Sequence, residues 1–126
     1  MEASLQPMGR SMYNFFSSKI LGVIKSYFLD DRYSERCGIV LKGNEQGFTP
    51  LPNVLSSTDM FQVNPKVFLL RDKIKTIVHS HPFGCSYPSE LDVFSSRQVG
   101  VPYLIYSCAF NNFVYFDLEK CIPIKV

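Results

Sequence analysis

The sequence is short of histidine, and the shortage is informative. Of its 126 residues two are histidines, and they stand one residue apart as His79-Ser80-His81. If both serve a metal, no histidine is left to act as base for a serine or cysteine nucleophile, so those peptidase classes are excluded. His-Glu-x-x-His, the pattern of another large class of zinc peptidases, is absent, and so is a glycine-rich phosphate loop. No apolar run approaches the roughly 20 residues that span a bilayer; the run from Ile20 to Ile24 is broken by Lys25. The first residues carry neither the basic start nor the apolar core of a signal peptide. Thirteen basic against eleven acidic residues leave a net charge of +2, too little to argue for a nucleic-acid partner. Cys37, Cys85, Cys108 and Cys121 form no Cys-x-x-Cys pair and no disulfide framework, which fits a reducing, cytoplasmic setting.

What is present reads as one globular domain. Apolar residues make up 46% and charged residues 19%, and a chain of this length buries about two thirds of its unfolded surface. Residues 1–12 lack apolar periodicity and read as a flexible N-terminal arm, with residues 13–126 as the domain. Tyr13, Phe16, Ile20, Val23 or Ile24, and Tyr27 fall on one face of an amphipathic helix that Asp30-Asp31 ends. Cys37 to Lys42 reads as a buried strand, Gly43 to Gly47 as a turn, and Phe48 to Val54 as a returning strand. Pro50 and Pro52 in the latter argue for a sheet edge. Ser56 to Met60 reads as loop and Phe61 to Val63 as a short strand. Asn64 and Pro65 fit the cap and first position of a helix running to about Asp72. The apolar run Ile74 to Val78 leads into the histidines; a helix follows from Ser89 to about Gln98, stopped by Gly100. Pro102 to Ala109 reads as a central strand, Asn111-Asn112 as a tight turn, and Phe113 to Leu118 as its hairpin partner. Ile122, Ile124 and Val126 alternate as a last strand. This order predicts an α+β (α/β) domain, a mixed β-sheet flanked by helices.

The chemistry lies in His79-Ser80-His81-Pro82 and Pro88-Ser89-Glu90-Leu91-Asp92. In a strand, residues two apart point to one face about 6.5–7 Å apart, so both imidazoles can converge on one ion while Ser80 faces away, into packing or a supporting hydrogen bond. Pro82 ends the strand. Ser89-x-x-Asp92 fits a capping box, and it also puts Asp92 in the first turn of the next helix. Glu90 lies about 200° round the axis from Asp92 and cannot share the site. Two histidine nitrogens, one carboxylate oxygen and an open position make a catalytic zinc site. Cys85 lies four residues past His81 and is a rival ligand, though the set is complete without it.

This pattern, with seven residues between His81 and Ser89, resembles the JAMM (MPN-plus) zinc metallopeptidases. Their upstream glutamate, set shortly before a glycine at the head of a strand, is matched by Glu35-Arg36-Cys37-Gly38. Pro50-Leu51-Pro52-Asn53 and Phe61-Gln62-Val63-Asn64-Pro65 resemble the prokaryotic and phage branch, in which the domain commonly opens tail-tip assembly proteins. The resemblance runs from about Tyr13 to Leu118 and implies a cytidine-deaminase-like fold with one Zn2+ held by His79, His81 and Asp92. It implies Glu35 as general base and acid, and Ser89, unless it serves only as the helix cap, as hydrogen-bond donor to the oxyanion. The expected reaction is hydrolysis of a peptide or isopeptide bond in a protein substrate. The resemblance favours a phage tail protein over a ubiquitin-like protein and implies action in the host cytoplasm or in the virion tail. Phage members are often fused to a cell-wall-type cysteine peptidase; here that partner, if it exists, is expected as a separate polypeptide or as a part outside this sequence. A module that keeps the fold and docks on tail proteins without catalysis is the alternative.

Overall fold

The computed structural model describes residues 15–52 and 65–124, with the backbone alone for 65–68. Helix α1 spans Ser18–Leu29. Ser17 caps it by accepting the Ile20 backbone N–H at 3.2 Å, which satisfies one of the donors a helix start leaves open. Strands β1 (Cys37–Leu41) and β2 (Asn44–Leu51) follow, then a 3-10 helix Pro65–Lys73, β3 (Ile74–His81), α2 (Glu90–Val99), β4 (Tyr103–Ser107), β5 (Asn112–Phe116) and β6 (Cys121–Ile124). The six strands form one sheet in the order β2-β1-β3-β4-β5-β6. Among the described residues the β3–β4 pair alone is parallel, with helix α2 carrying the chain back across the sheet between them.

Two apolar clusters lie on opposite faces. Phe16, Ile20, Leu21, Ile24 and Phe28 cover Val40, Val78, Leu104, Tyr106, Phe113 and Tyr115 on the α1 face. Ile39, Ile77, Tyr103, Ile105 and Phe116 meet Val93 and Val99 of α2 on the other. Both faces of β4 are therefore covered, and all five of its residues are buried, as expected for its nearly continuous apolar run. Gly38 is required by close packing: a Cβ there would collide with the Phe48 ring and the Thr49 carbonyl.

The mixed sheet, the central β4, the helix at 90–99 and the edge position of the proline-bearing β2 agree with the sequence reading. Four local readings change. The first helix starts at Ser18, and its buried stripe is Ile20, Leu21, Ile24 and Phe28, with Val23 exposed. The first turn shrinks to Lys42-Gly43, with Gly43 at φ 85°, and β2 begins at Asn44. That start is hidden because a solvated edge strand needs no apolar side chains. Residues 65–73 form a 3-10 rather than an α-helix. The β4–β5 turn ends on Asn111, at φ 55°, and Asn112 already belongs to β5. The arm 1–12, Tyr13, the readings over 53–64 and Val126 lie outside the described residues.

Candidate metal centre

Strand alternation delivers both histidines to the α2 face. Val78 belongs to the α1-side core and Ile77 to the α2-side core, so His79 and His81 follow Ile77 and Ser80 follows Val78. Ser80 is fully buried and accepts the Arg36 backbone N–H at its Oγ, 3.1 Å. Helix α2 starts against this strand end. Ser89 Oγ accepts the Asp92 N–H at 3.1 Å, and the Ser89 N–H donates to Asp92 Oδ2 at 2.9 Å, a complete capping box. The same carboxylate meets the histidines: Oδ1 lies 3.3 Å from His79 Nε2 and Oδ2 3.0 Å from His81 Nε2. The cap and the ligand reading of Asp92 are thus not alternatives. Glu90 is exposed, on the other side of the helix.

Among the described residues His79, His81 and Asp92 form a group that could hold a metal ion, their ligand atoms all within 4.8 Å of one another. Zinc bonds of about 2.0–2.1 Å at tetrahedral angles place donors about 3.3 Å apart, close to the two His–Asp separations. The second ring nitrogen of His81 supports the fit. Its Nδ1 lies 2.7 Å from the Cys85 carbonyl oxygen; that oxygen only accepts, so Nδ1 carries the proton and the Nε2 lone pair is left to face the site. With Asp92 at Nε2 and Cys85 at Nδ1, both ring nitrogens have acceptors, which favours a cation there, either a proton or a metal.

The electrostatics follow from burial and these contacts. Complete burial lowers the His79 pKa, outweighing the Asp92 charge that would raise it. For His81 burial also acts downward, but the hydrogen bonds to Asp92 and Cys85, with the charges of Asp92 and Glu35, raise the pKa. Burial would raise Asp92; the charge of His79 and hydrogen bonds from both histidines and the Ser89 backbone instead hold it well below the usual carboxylate range. The carboxylate is therefore ionised and ready to bind a cation.

Cys85 contributes its carbonyl while its side chain is exposed; its thiol is not among the grouped ligands. Cys37, paired with His79 across β1 and β3, is pushed up to about 12 by burial and by the Glu35 charge, which makes it an inert core thiol. The site loop is pinned on three sides. Besides the Cys85–His81 bond, Ser107 Oγ donates to the Gly84 carbonyl and Ser86 Oγ to Asn112 Oδ1, each at 2.7 Å. The Tyr103 ring stands edge-on to His79 with centroids 5.2 Å apart. Ser107, Asn112 and Tyr103 carry no signal as site neighbours in the sequence, because each is distant along the chain and has no motif of its own.

Glu35 is 6% exposed and lies next to the group. The antiparallel register pairs Cys37 with His79, and the Ser80 N–H to Arg36 carbonyl bond carries the pairing one residue further. Glu35 is the next residue outward from Arg36, and its charge is felt at His81. Ser89 is exposed at the mouth of the site, its oxygen accepting from Asp92 and its O–H proton left to donate.

A mixed sheet whose parallel crossover helix sets an aspartate against a His-x-His strand end defines an α+β domain with a His-His-Asp group that could hold a metal ion. The family model described as prokaryotic homologs of the JAB domain matches residues 27–118, and the chain belongs to that family. No curated protein matches it. Among solved structures, a Desulfitobacterium hafniense protein determined in solution has the same fold, with a TM-score of 0.62 at 19% identity over 87% of this chain and 88% of that one.

Proposed function

We propose that this domain is a zinc-dependent peptidase that hydrolyses a peptide or isopeptide bond, with a phage tail protein as substrate and the host cytoplasm as its setting. The observation that carries the enzymatic reading is the placement of Glu35. A buried carboxylate sits beside a preformed His79–His81–Asp92 group without being part of it. A structural metal site has no use for such a neighbour, whereas hydrolysis does. The tail-protein reading is supported by the resemblance of residues 50–53 and 61–65 to the phage branch.

His79, His81 and Asp92 would hold the zinc. When bound, the ion lowers the pKa of water towards about 7 and polarises the scissile carbonyl. Glu35 accepts the proton released by water and passes it to the departing amine, a role typically worth about 10²–10⁴-fold in rate. Ser89 uses its oxygen to cap α2 and its O–H to hydrogen-bond the carbonyl oxygen as charge develops there. The Cys85 carbonyl keeps His81 in the tautomer that binding requires.

The test is mass spectrometry of tail proteins co-expressed with wild type and with Glu35→Gln. Wild type should yield a discrete cleavage product. Glu35→Gln should keep its zinc and fold but lose at least about a hundredfold in rate, since an amide cannot accept the proton. Full activity in Glu35→Gln removes Glu35 from the mechanism. A zinc-loaded wild type that cleaves nothing overturns the peptidase reading in favour of a docking module.

A further inference from the structure

The two chain segments that carry Glu35 and His81 meet again beyond them. Moving outward from the sheet along the same two chain segments, Tyr33 precedes Glu35 by two residues and Phe83 follows His81 by two. Regular pairing has ended there, yet the two rings still meet, with centroids 6.3 Å apart and planes inclined by 34°. Both are exposed, Tyr33 by 66% and Phe83 by 63%, although the chain had apolar cores on both sheet faces in which to bury them.

Phe83 is also held in place. It lies between Pro82, which is buried, and Gly84, whose carbonyl is tied to Ser107, and the next carbonyl is tied to His81. An exposed aromatic fixed by its own backbone loses little freedom when a ligand covers it. The flanking Gly84 leaves open space, since a Cβ built there meets nothing within 4 Å.

We infer that Tyr33 and Phe83 form a subsite for one apolar side chain of a peptide whose backbone continues past the His79–His81–Asp92 group. The occupant follows from the placement: each ring stands two residues along the chain from a residue at the centre, Tyr33 from Glu35 and Phe83 from His81, and two exposed aromatic faces in contact suit a leucine- or phenylalanine-sized group. The inference rests on the peptidase reading only in taking a peptide as ligand.

The experiment follows the Tyr33 and Phe83 ring protons by NMR in the full-length, zinc-loaded Glu35→Gln protein during titration with Gly-Ser-Xaa-Ser-Gly peptides. Xaa is Phe, Leu, Ser or Asp. Covering a side chain of this size partly should make the Phe and Leu peptides bind about tenfold more tightly than the Ser and Asp peptides. The double variant Tyr33→Ala/Phe83→Ala, followed through the backbone amides of Gly84 and Cys85, should lose that preference while keeping its melting temperature, because both side chains are exposed. Equal binding of the four peptides, or a preference that survives the double variant, overturns the subsite. So does movement of the ring signals with protein concentration alone, which would give the surface to a second copy of the chain. If the preference is found but wild type cleaves no protein, the subsite stands and the peptidase reading falls.

Discussion

The two faces of the sheet solve different problems with the same strands. Against α1 the packing is mainly apolar: Phe28 stacks on Tyr106 at 6.2 Å, and Ile20, Ile24, Val78 and Leu104 are fully buried around them. Against α2 the core is interrupted. Ile39, Ile77 and Ile105 pack there, but His79, Asp92 and Glu35 are buried beside them. Burying ionisable groups costs several kcal/mol each unless they satisfy one another. Here they do so with Asp92 at the centre, contacting two histidines and the Ser89 N–H. The α1 face holds the domain together so that the α2 face can carry a preorganised charged cluster.

If that division is real, substitutions on the two faces should fail in different ways. Phe28→Ala should cost about 3–5 kcal/mol in urea unfolding, while the fraction that remains folded keeps its zinc; loss of metal affinity in that fraction would mean the faces are coupled. Next in size is the acid response of the zinc-free protein. Asp92 is held below its ordinary value of 3.8 in the fold, so its contribution is present above that pH and is lost as pH falls through and below it. Urea midpoints at pH 5 and pH 3 should therefore differ more for wild type than for Asp92→Asn; equal differences would show that the carboxylate is not stabilised by its neighbours. Ser89→Ala should cost about 1 kcal/mol as a lost cap. If the O–H also serves the oxyanion, turnover should fall by roughly a hundredfold as well. Cys85→Ser should do least, changing stability by no more than about 0.5 kcal/mol and leaving zinc in place, because only its backbone carbonyl is used. Release of zinc from this variant would make the thiol a ligand.

The contrast between the faces also separates what was legible in the sequence from what was not. Period-two spacing put His79 and His81 on one face, and the first-turn position brought Asp92 towards them; both are local properties that the fold preserves. The central strand β4 announced itself by its unbroken apolar run, and the edge strand β2 by Pro50 within it and Pro52 just past it. Local pattern failed where long-range contact decides. The α1 stripe rotated to include Leu21 and Phe28 because the sheet, not the helix, chooses which neighbours are covered. The solvated start of β2 at Asn44 has no apolar signature. The partners that orient the site, the Cys85 carbonyl, Ser107 and Tyr103, come from backbone groups or from strands placed beside the histidines only by folding. Glu35 lay between these extremes: motif resemblance selected it, and the fold buries it where its charge acts on His81.

The central claim is that His79, His81 and Asp92 together hold one metal ion, and elemental analysis of the purified protein after mild dialysis tests it most directly. The expected result is about one zinc per chain in wild type and almost none in His81→Ala, whose fold is retained by the α1 face. A wild-type content near zero that added zinc does not restore would contradict it, as would an unchanged zinc content in His81→Ala.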